Sequence, residues 1–211
     1  AAGVFSFEDG LRLVALRGEA MQEAMDQGGK QAFMSIAGID REKVLELCEQ
    51  AKSIAGEGAV CQISNELFPK GFSCAGTEVA IIALKDLAEE AGALQAKVVK
   101  TSGAFHTPLM EPAAQKLRKA LEELRPRMSP PKHTVVMNVT AEPLLPGTDP
   151  EIIVDLLMRQ LTNPVQWKSS VMAMIKMGTQ QFFEVGPMKQ IRAMMKRIDS
   201  KMWGNTSNVE V

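Results

Sequence analysis

The segment QAFMSIAGIDREKVLELCEQAKSIA (31–55) shows how the first half of this chain is built. Its first eight residues have strand character. A helical period then runs through Val44, Leu47 and Cys48, and Asp40 is a suitable N-cap for that helix. A strand followed by an amphipathic helix begins a mixed α/β unit.

The residues that follow complete this unit. Strand-like segments at 59–65 and 71–76 flank a turn, and a helix is predicted at 77–92, with a final strand at 96–101. The order β-α-β-β-α-β is typical of the ferredoxin-like arrangement. The pattern therefore predicts a small ferredoxin-like subdomain over residues 30–101.

The flanking sequence has a different pattern. Ser6 is a candidate N-cap for a helix that continues to about Gln27. After residue 106 the predicted elements are a helix that ends before Pro126, a strand at 134–140, helices at 149–161 and 167–177, a strand at 180–186, and a helix from Pro187 to about Ile198. Strands that alternate with helices favour a parallel sheet. Residues 1–29 and 102–211 are therefore expected to form part of a larger α/β domain that contains the small subdomain as an insertion.

The first residues indicate that the larger domain begins earlier than this sequence. Ala1-Ala2-Gly3 is typical of the end of a helix, because glycine suits the left-handed position after the last turn. We therefore expect an N-terminal truncation. A natural or processed N-terminus is the alternative, although it leaves this helix end unexplained.

Composition excludes several classes of protein. Hydrophobic residues make up 45% of the 211 residues and charged residues 23%, and the formal charge is −1. Neither a nucleic-acid nor a membrane partner is expected from these values. The halves differ, with a net charge of −5 over residues 1–100 and +4 over residues 101–211. An anionic partner is therefore expected to meet the second half.

The cysteines and histidines argue against a metal site. Cys48, Cys61 and Cys74 are odd in number and far apart, no CxxC occurs, and the chain has two histidines. We expect reduced thiols in an intracellular compartment. The sequence contains no signal-peptide pattern and no apolar run long enough to span a membrane, so secretion is not expected.

His106 lies in GAFHTPLMEPA (103–113), between a flexible tripeptide and a helix start. Histidine titrates near neutral pH, so this position favours a role in proton transfer, although a surface or satisfied core histidine is the alternative. A serine partner would be expected in GxSxG, and the sequence contains no such motif. The nearest match, at 71–75, lacks the last glycine, and strand alternation accounts for its Ser73 and Cys74. The sequence thus offers a base without a nucleophile.

GAFHTPLMEPA resembles the histidine motif of malonyl-CoA:acyl carrier protein transacylases. RQLTNPVQW (159–167) is similar to the family's Arg-Gln-Leu-x-x-Pro-Val-x-Trp segment, and FFEVGP (182–187) to its Glu-Val-Gly-Pro strand end. MNVTAEP (137–143) and residues 1–24 resemble further family segments, the latter downstream of the elbow that carries the nucleophilic serine. The resemblance extends over essentially the whole chain, and plastid-type members look most similar.

This resemblance implies a partial α/β-hydrolase-like parallel-sheet domain with an inserted ferredoxin-like subdomain. It also implies roles for two pairs of site residues. His106 corresponds to the base, and Gln160 to the residue whose backbone carbonyl orients the imidazole. Arg17 corresponds to the arginine that pairs with the malonyl carboxylate, and Met21, one turn further along the helix, lines the same pocket or belongs to the core.

The remaining substrate-binding candidates are Phe105 and Asn65. A bulky Phe105 leaves little space beside the acyl α-carbon, and Asn65, like Asn138, corresponds to a position near the cleft or serves a turn. One residue departs from the family, because Met188 follows Gly186-Pro187 where a second glycine is common. If that glycine permits close approach to the site, Met188 narrows it.

The resemblance implies malonyl transfer from coenzyme A to the phosphopantetheine thiol of acyl carrier protein in type II fatty-acid synthesis, by a ping-pong Ser/His mechanism. No metal or prosthetic group is implied on the enzyme, and a monomer in a plastid, another organelle or the bacterial cytoplasm is expected. The alternatives are an acyltransferase domain of a polyketide or multifunctional fatty-acid synthase, and a non-catalytic carrier-binding protein. The 211 residues alone are expected to be inactive, since the serine is missing.

Overall fold

The computed structural model describes residues 1–99 and 103–210. The helices are α1 (Phe7–Gln27), α2 (Arg41–Ala55), α3 (Glu78–Glu90), α4 (Glu111–Leu124), α5 (Pro150–Arg159), α6 (Trp167–Lys176), α7 (Gln190–Ile198) and α8 (Ser200–Gly204). The strands are β1 (Gln31–Ala37), β2 (Cys61–Phe68), β3 (Gly71–Thr77), β4 (Gln95–Val99), β5 (Val135–Val136), β6 (Pro143–Leu144), β7 (Phe182–Val185) and β8 (Thr206–Val209). Every helix that the sequence predicts between residues 6 and 198 is present, and α8, β6 and β8 are additions. Residues 1–3, predicted as the end of a helix, lie outside any helix, although Gly3 has a positive φ of 76°.

The first half contains the predicted small sheet. Its strands are antiparallel in the order β2-β3-β1-β4, and Met34 of β1 lies opposite Cys74 of β3 and Val98 of β4. The alternating burial of β1 places Met34 and Ile36 in a core that α2 and α3 cover. This is the ferredoxin-like arrangement that the pattern predicts. Residues 100 and 101 of the predicted last strand lie outside the described residues, and the subdomain boundaries 30–101 remain a prediction.

Close packing of β2 against β3 depends on Gly76. A Cβ atom at this position would lie 1.8 Å from the carbonyl oxygen of Val60, and this backbone atom cannot move like a flexible side chain. Gly76→Ala is therefore expected to lower the free energy of unfolding by about 1–3 kcal/mol, as overpacking does. The shift of the urea midpoint measures this loss.

Gly18 provides the matched control. It lies in the interior of α1, and a Cβ atom there would meet no atom within 4 Å. Gly18→Ala should therefore raise stability by about 0.5–1 kcal/mol through helix propensity. A Gly76→Ala protein as stable as the wild type would contradict the steric argument.

Helix α1 packs on α4 through small residues. Ala20 and Ala24 of α1 are buried against Met110 and Leu117, because alanine allows two helices to approach closely. Leu11 and Val14 of the same helix are 57% and 60% exposed. They line a cavity of about 490 Å³ on the other side of the helix.

The second half contains a parallel pair of strands. Strands β7 and β8 are parallel, which agrees with the predicted α/β class. The predicted strand at 134–140 is wrong beyond its first residues, because β5 ends at Val136 and a turn follows. Thr140 and Ala141 both donate backbone hydrogen bonds to the Met137 carbonyl, and Ala141 adopts a positive φ of 60°. This turn buries Met137 and Val139 without extending the strand.

Within residues 1–99 and 103–210, no helix is long and apolar enough to cross a membrane.

Candidate active site

His106 lies in a turn before α4 and has a left-handed backbone with a φ of 62°. Residues other than glycine rarely adopt this backbone conformation, because it costs about 1–3 kcal/mol. It persists only where surrounding contacts impose it. The next residue supplies one of these contacts. Thr107 is fully buried, its hydroxyl donates to the Ala104 carbonyl at 2.7 Å, and it accepts from the Leu109 amide at 3.3 Å.

The imidazole of His106 is oriented by Gln160, which follows the last turn of α5. His106 Nδ1 lies 2.7 Å from the Gln160 carbonyl oxygen. A carbonyl oxygen only accepts hydrogen bonds, so Nδ1 carries the proton. In the neutral imidazole the lone pair therefore lies on Nε2, which is the atom able to act as a base.

Burial lowers the pKa of His106 below its ordinary value, and the positive charge of Arg17 lowers it further. The hydrogen bond to the Gln160 carbonyl opposes this shift, because it favours the charged imidazolium. At neutral pH the imidazole is therefore neutral and able to accept a proton. The same carbonyl stabilises the cation that forms once Nε2 has accepted one.

Arg17 reaches this histidine through the same glutamine. Its Nη1 donates to Gln160 Oε1 at 3.2 Å, across 143 residues of sequence. Gln160 thus contacts the arginine with its side chain and the histidine with its backbone. The sequence-predicted residues His106, Gln160 and Arg17 lie together.

Arg17 is half-buried, and burial lowers the pKa of its guanidinium. Among the residues that the structure describes, no carboxylate forms an ion pair with it. It also borders the apolar cavity beside Leu11 and Val14. A partly desolvated guanidinium without an acidic partner is suited to hold the carboxylate of a ligand, since its planar fork can donate two parallel hydrogen bonds.

Met21 and Phe105 pack, half-buried, on the core between α1 and α4. Met21 thus contributes to this core one helical turn after Arg17, and Phe105 lies directly before the base. Asn65 lies at the junction of the two halves, where its amide donates to Ser64 Oγ and its backbone bridges to Val165. These contacts join Asn65 to the scaffold rather than to His106 or Arg17.

Sequence reasoning missed two glutamines beside the His106 turn. Gln62 Nε2 donates to the His106 carbonyl oxygen at 2.8 Å, and Gln31 Oε1 accepts from the Ala104 amide at 2.7 Å. Both belong to the small sheet. Strand alternation alone assigns Gln62 to the face opposite the core, and no motif identifies what it contacts.

The other potential nucleophiles and ligands are structural. Cys48, Cys61 and Cys74 are buried free thiols in the small-sheet core. The hydrogen bond with Cys48 and then burial raise the pKa of the Cys61 thiol, which disfavours the reactive thiolate. No cluster of metal-ligating side chains occurs in the described part of the chain.

Comparison with known proteins gives concordant matches. The malonyl-CoA–acyl carrier protein transacylase of Haemophilus influenzae is 36% identical over 197 residues, which are 93% of this chain and 60% of that protein. The human mitochondrial malonyl-CoA–acyl carrier protein transacylase is 34% identical, over 100% of this chain and 54% of that protein. The chain thus spans less than two thirds of the length of these relatives. No protein-family model matches the chain.

Solved structures agree with the sequence relatives. A malonyl-CoA–acyl carrier protein transacylase from Coxiella burnetii superposes with a TM-score of 0.88 at 29% identity, over 98% of this chain and 62% of that one. A malonyl-transacylase in complex with a type II polyketide synthase acyl carrier protein superposes with a TM-score of 0.86 at 33% identity, over 100% and 63%.

Proposed function

The chain belongs to the malonyl-CoA–acyl carrier protein transacylase family over the part of those proteins that it spans, and we propose that it carries the base and the carboxylate-binding arginine of such an enzyme. The observation that carries the proposal is the double contact of Gln160, with His106 through its carbonyl and with Arg17 through its side chain. A general base and a carboxylate receptor are two of the groups that malonyl transfer uses, beside a nucleophile and donors that stabilise the oxyanion.

In the first half-reaction, a serine outside these 211 residues attacks the thioester carbonyl of malonyl-CoA. His106 Nε2 takes the hydroxyl proton as the serine oxygen bonds to carbon. The C–S bond then breaks, and the coenzyme A sulfur leaves with the proton that the imidazolium returns. Arg17 holds the distal carboxylate, so that the reacting carbonyl faces the serine.

In the second half-reaction, the phosphopantetheine thiol of acyl carrier protein is the nucleophile. Nε2 accepts its proton, the sulfur bonds to the acyl carbon, and the serine oxygen leaves with that proton. The reaction involves no oxidation or reduction, and it needs no metal or prosthetic group on the enzyme. The carrier is that of fatty-acid synthesis. A type II polyketide carrier is the second candidate, because a relative with 33% identity was solved with one.

The remaining site residues receive roles within this proposal. Phe105 limits the space beside the acyl α-carbon and so favours unbranched malonyl, Met21 lines the arginine pocket, and Asn65 braces the cleft from the small sheet. Met188 has a φ of 74° and is 64% exposed, a strained position that glycine would adopt freely. We place the reaction in the bacterial cytoplasm or an organelle.

A malonyl-labelling experiment tests the proposal. The 211 residues incubated with malonyl-CoA are expected to gain no stoichiometric malonyl adduct, because they contain no GxSxG elbow, and the three cysteines and Ser73 are buried in the small sheet. A form that also carries the elbow serine should gain one malonyl group per chain, detectable by intact-mass spectrometry.

His106→Ala in that longer form is the control, and it should label far more slowly. A stoichiometric adduct on the 211 residues alone would identify a different nucleophile and overturn the Ser/His assignment.

A further inference from the structure

The His106 turn is held from outside its own domain. The left-handed backbone of His106 needs contacts that impose it. The Thr107 hydroxyl donates to the Ala104 carbonyl and accepts from the Leu109 amide, and neither bond includes a backbone atom of His106. The imidazole bond to Gln160 orients the ring and leaves the backbone to other partners. Those partners come from the small sheet.

We propose that Gln62 is a positioning residue for the His106 base, because its amide Nε2 donates a 2.8 Å hydrogen bond to the His106 carbonyl and holds the strained backbone in place. This inference rests on the proposed function, in which His106 moves the proton. Gln62 touches neither reacting atoms nor substrate in this mechanism, so it acts through His106.

The location of Gln62 suits a positioning role. It lies on β2 between Cys61 and Ile63, each 2% exposed and anchored in the small-sheet core. It is itself half-buried, so its hydrogen bond is partly shielded from water. A side chain on a packed strand locates its amide better than one on a loop.

A second contact supports the same role for the sheet. Gln31, the first residue of β1, accepts the Ala104 amide at 2.7 Å. The two glutamines therefore hold the turn at two points. Gln31 accepts from the amide of residue 104, and Gln62 donates to the carbonyl of residue 106. The small sheet that provides them packs its own core separately from the core under α1 and α4. We infer that a function of this sheet is to hold the catalytic turn.

The test uses nuclear magnetic resonance of the 211-residue chain and does not depend on acyl transfer. The chain has two histidines, and His133 is exposed and serves as an internal reference. In the wild type the His106 Nδ1 proton is held by Gln160 and should give a protected downfield signal. Gln62→Met keeps the side-chain length and removes the donor. It should weaken that signal and move the His106 pKa upward, toward its ordinary value, as the ring becomes more exposed to solvent and more distant from Arg17.

Gln95→Met is the matched control. Gln95 lies on β4 of the same sheet and donates to Ser35 Oγ, so its loss should leave the His106 signals unchanged. If Gln62→Met does not fold, Gln62→Asn replaces it, since the shortened amide stays polar but no longer reaches the carbonyl. A folded variant with an unchanged Nδ1 signal and an unchanged His106 pKa overturns the proposal.

Kinetics in a form that carries the serine gives a second readout. Misplacing a base by about an ångström costs on the order of 100-fold. Gln62→Met should therefore lower kcat by about 10–100-fold, with KM little changed. Equal changes in kcat and KM with normal His106 resonances would contradict a positioning role. If the wild-type longer form transfers no malonyl group, the proposed function fails, whereas the resonance test of Gln62 stands by itself.

Discussion

Arg17→Ala is expected to reduce malonyl transfer steeply and to leave acetyl transfer unchanged or raised, in a form of the protein that carries the nucleophilic serine. The variant removes the partner of a carboxylate in a partly desolvated pocket, a loss of about 2–5 kcal/mol, or roughly 30-fold or more in kcat/KM. Acetyl-CoA has no distal carboxylate, so acetyl transfer loses no interaction when Arg17 is replaced. The measurement is the ratio of the two kcat/KM values.

Two variants sharpen this test. Arg12 lies on the same helix, is exposed and pairs with Glu8, so Arg12→Ala should leave both rates unchanged. Arg17→Lys keeps the charge and loses the bidentate fork, so its kcat/KM for malonyl transfer should lie between the values of the wild type and Arg17→Ala. Equal losses for malonyl and acetyl transfer in Arg17→Ala would make Arg17 a structural residue.

His106→Ala is expected to slow both half-reactions, because each moves a proton through the same Nε2 atom. Loss of a general base is typically worth about 10²–10⁴-fold. Thr107, whose hydroxyl caps the following turn, is retained, so the fold should be preserved. Single-turnover acylation by malonyl-CoA and deacylation by the carrier thiol measure the two steps separately.

The pH dependence of the wild type gives the second readout for His106. Burial lowers the pKa of this histidine, so the neutral base persists as pH falls to its ordinary pKa of about 6.5. The fall of the transfer rate on acidification should therefore occur below pH 6.5. An unperturbed histidine would place it near pH 6.5. His133→Ala should change neither the rate nor the pH of this fall, because His133 is exposed. A folded His106→Ala protein with near wild-type transfer would contradict the assignment.

Local sequence determined most of the secondary structure. Alternation in β1 and the helical period of α2 are properties of neighbouring residues, and they predict the ferredoxin-like order because each element buries one face. Ser6 shows the same locality, since its hydroxyl accepts from the Asp9 amide at the start of α1 as predicted. The roles of Arg17 and Gln160 are predicted by the family resemblance. The sequence pattern alone predicts an exposed helix residue for Arg17 and a polar helix end for Gln160.

Tertiary structure decided what depends on residues far apart in the chain. The segment 134–140 has strand composition, yet it turns after Val136, because the Met137 carbonyl accepts two backbone amides that a longer strand would direct elsewhere. No local signal predicts that Leu11 and Val14 line a cavity while Ala20 faces the core, since helix periodicity does not say which side α4 covers.

The site itself is the clearest case. The sequence by itself identified His106 as a candidate base, because histidine is the residue that titrates near neutral pH. Only the fold places Gln160 between that base and Arg17, and only the fold brings Gln62 to the His106 carbonyl across 44 residues. The physical reason is that a hydrogen bond depends on positions within a few tenths of an ångström, which packing of the two cores sets and local propensity does not.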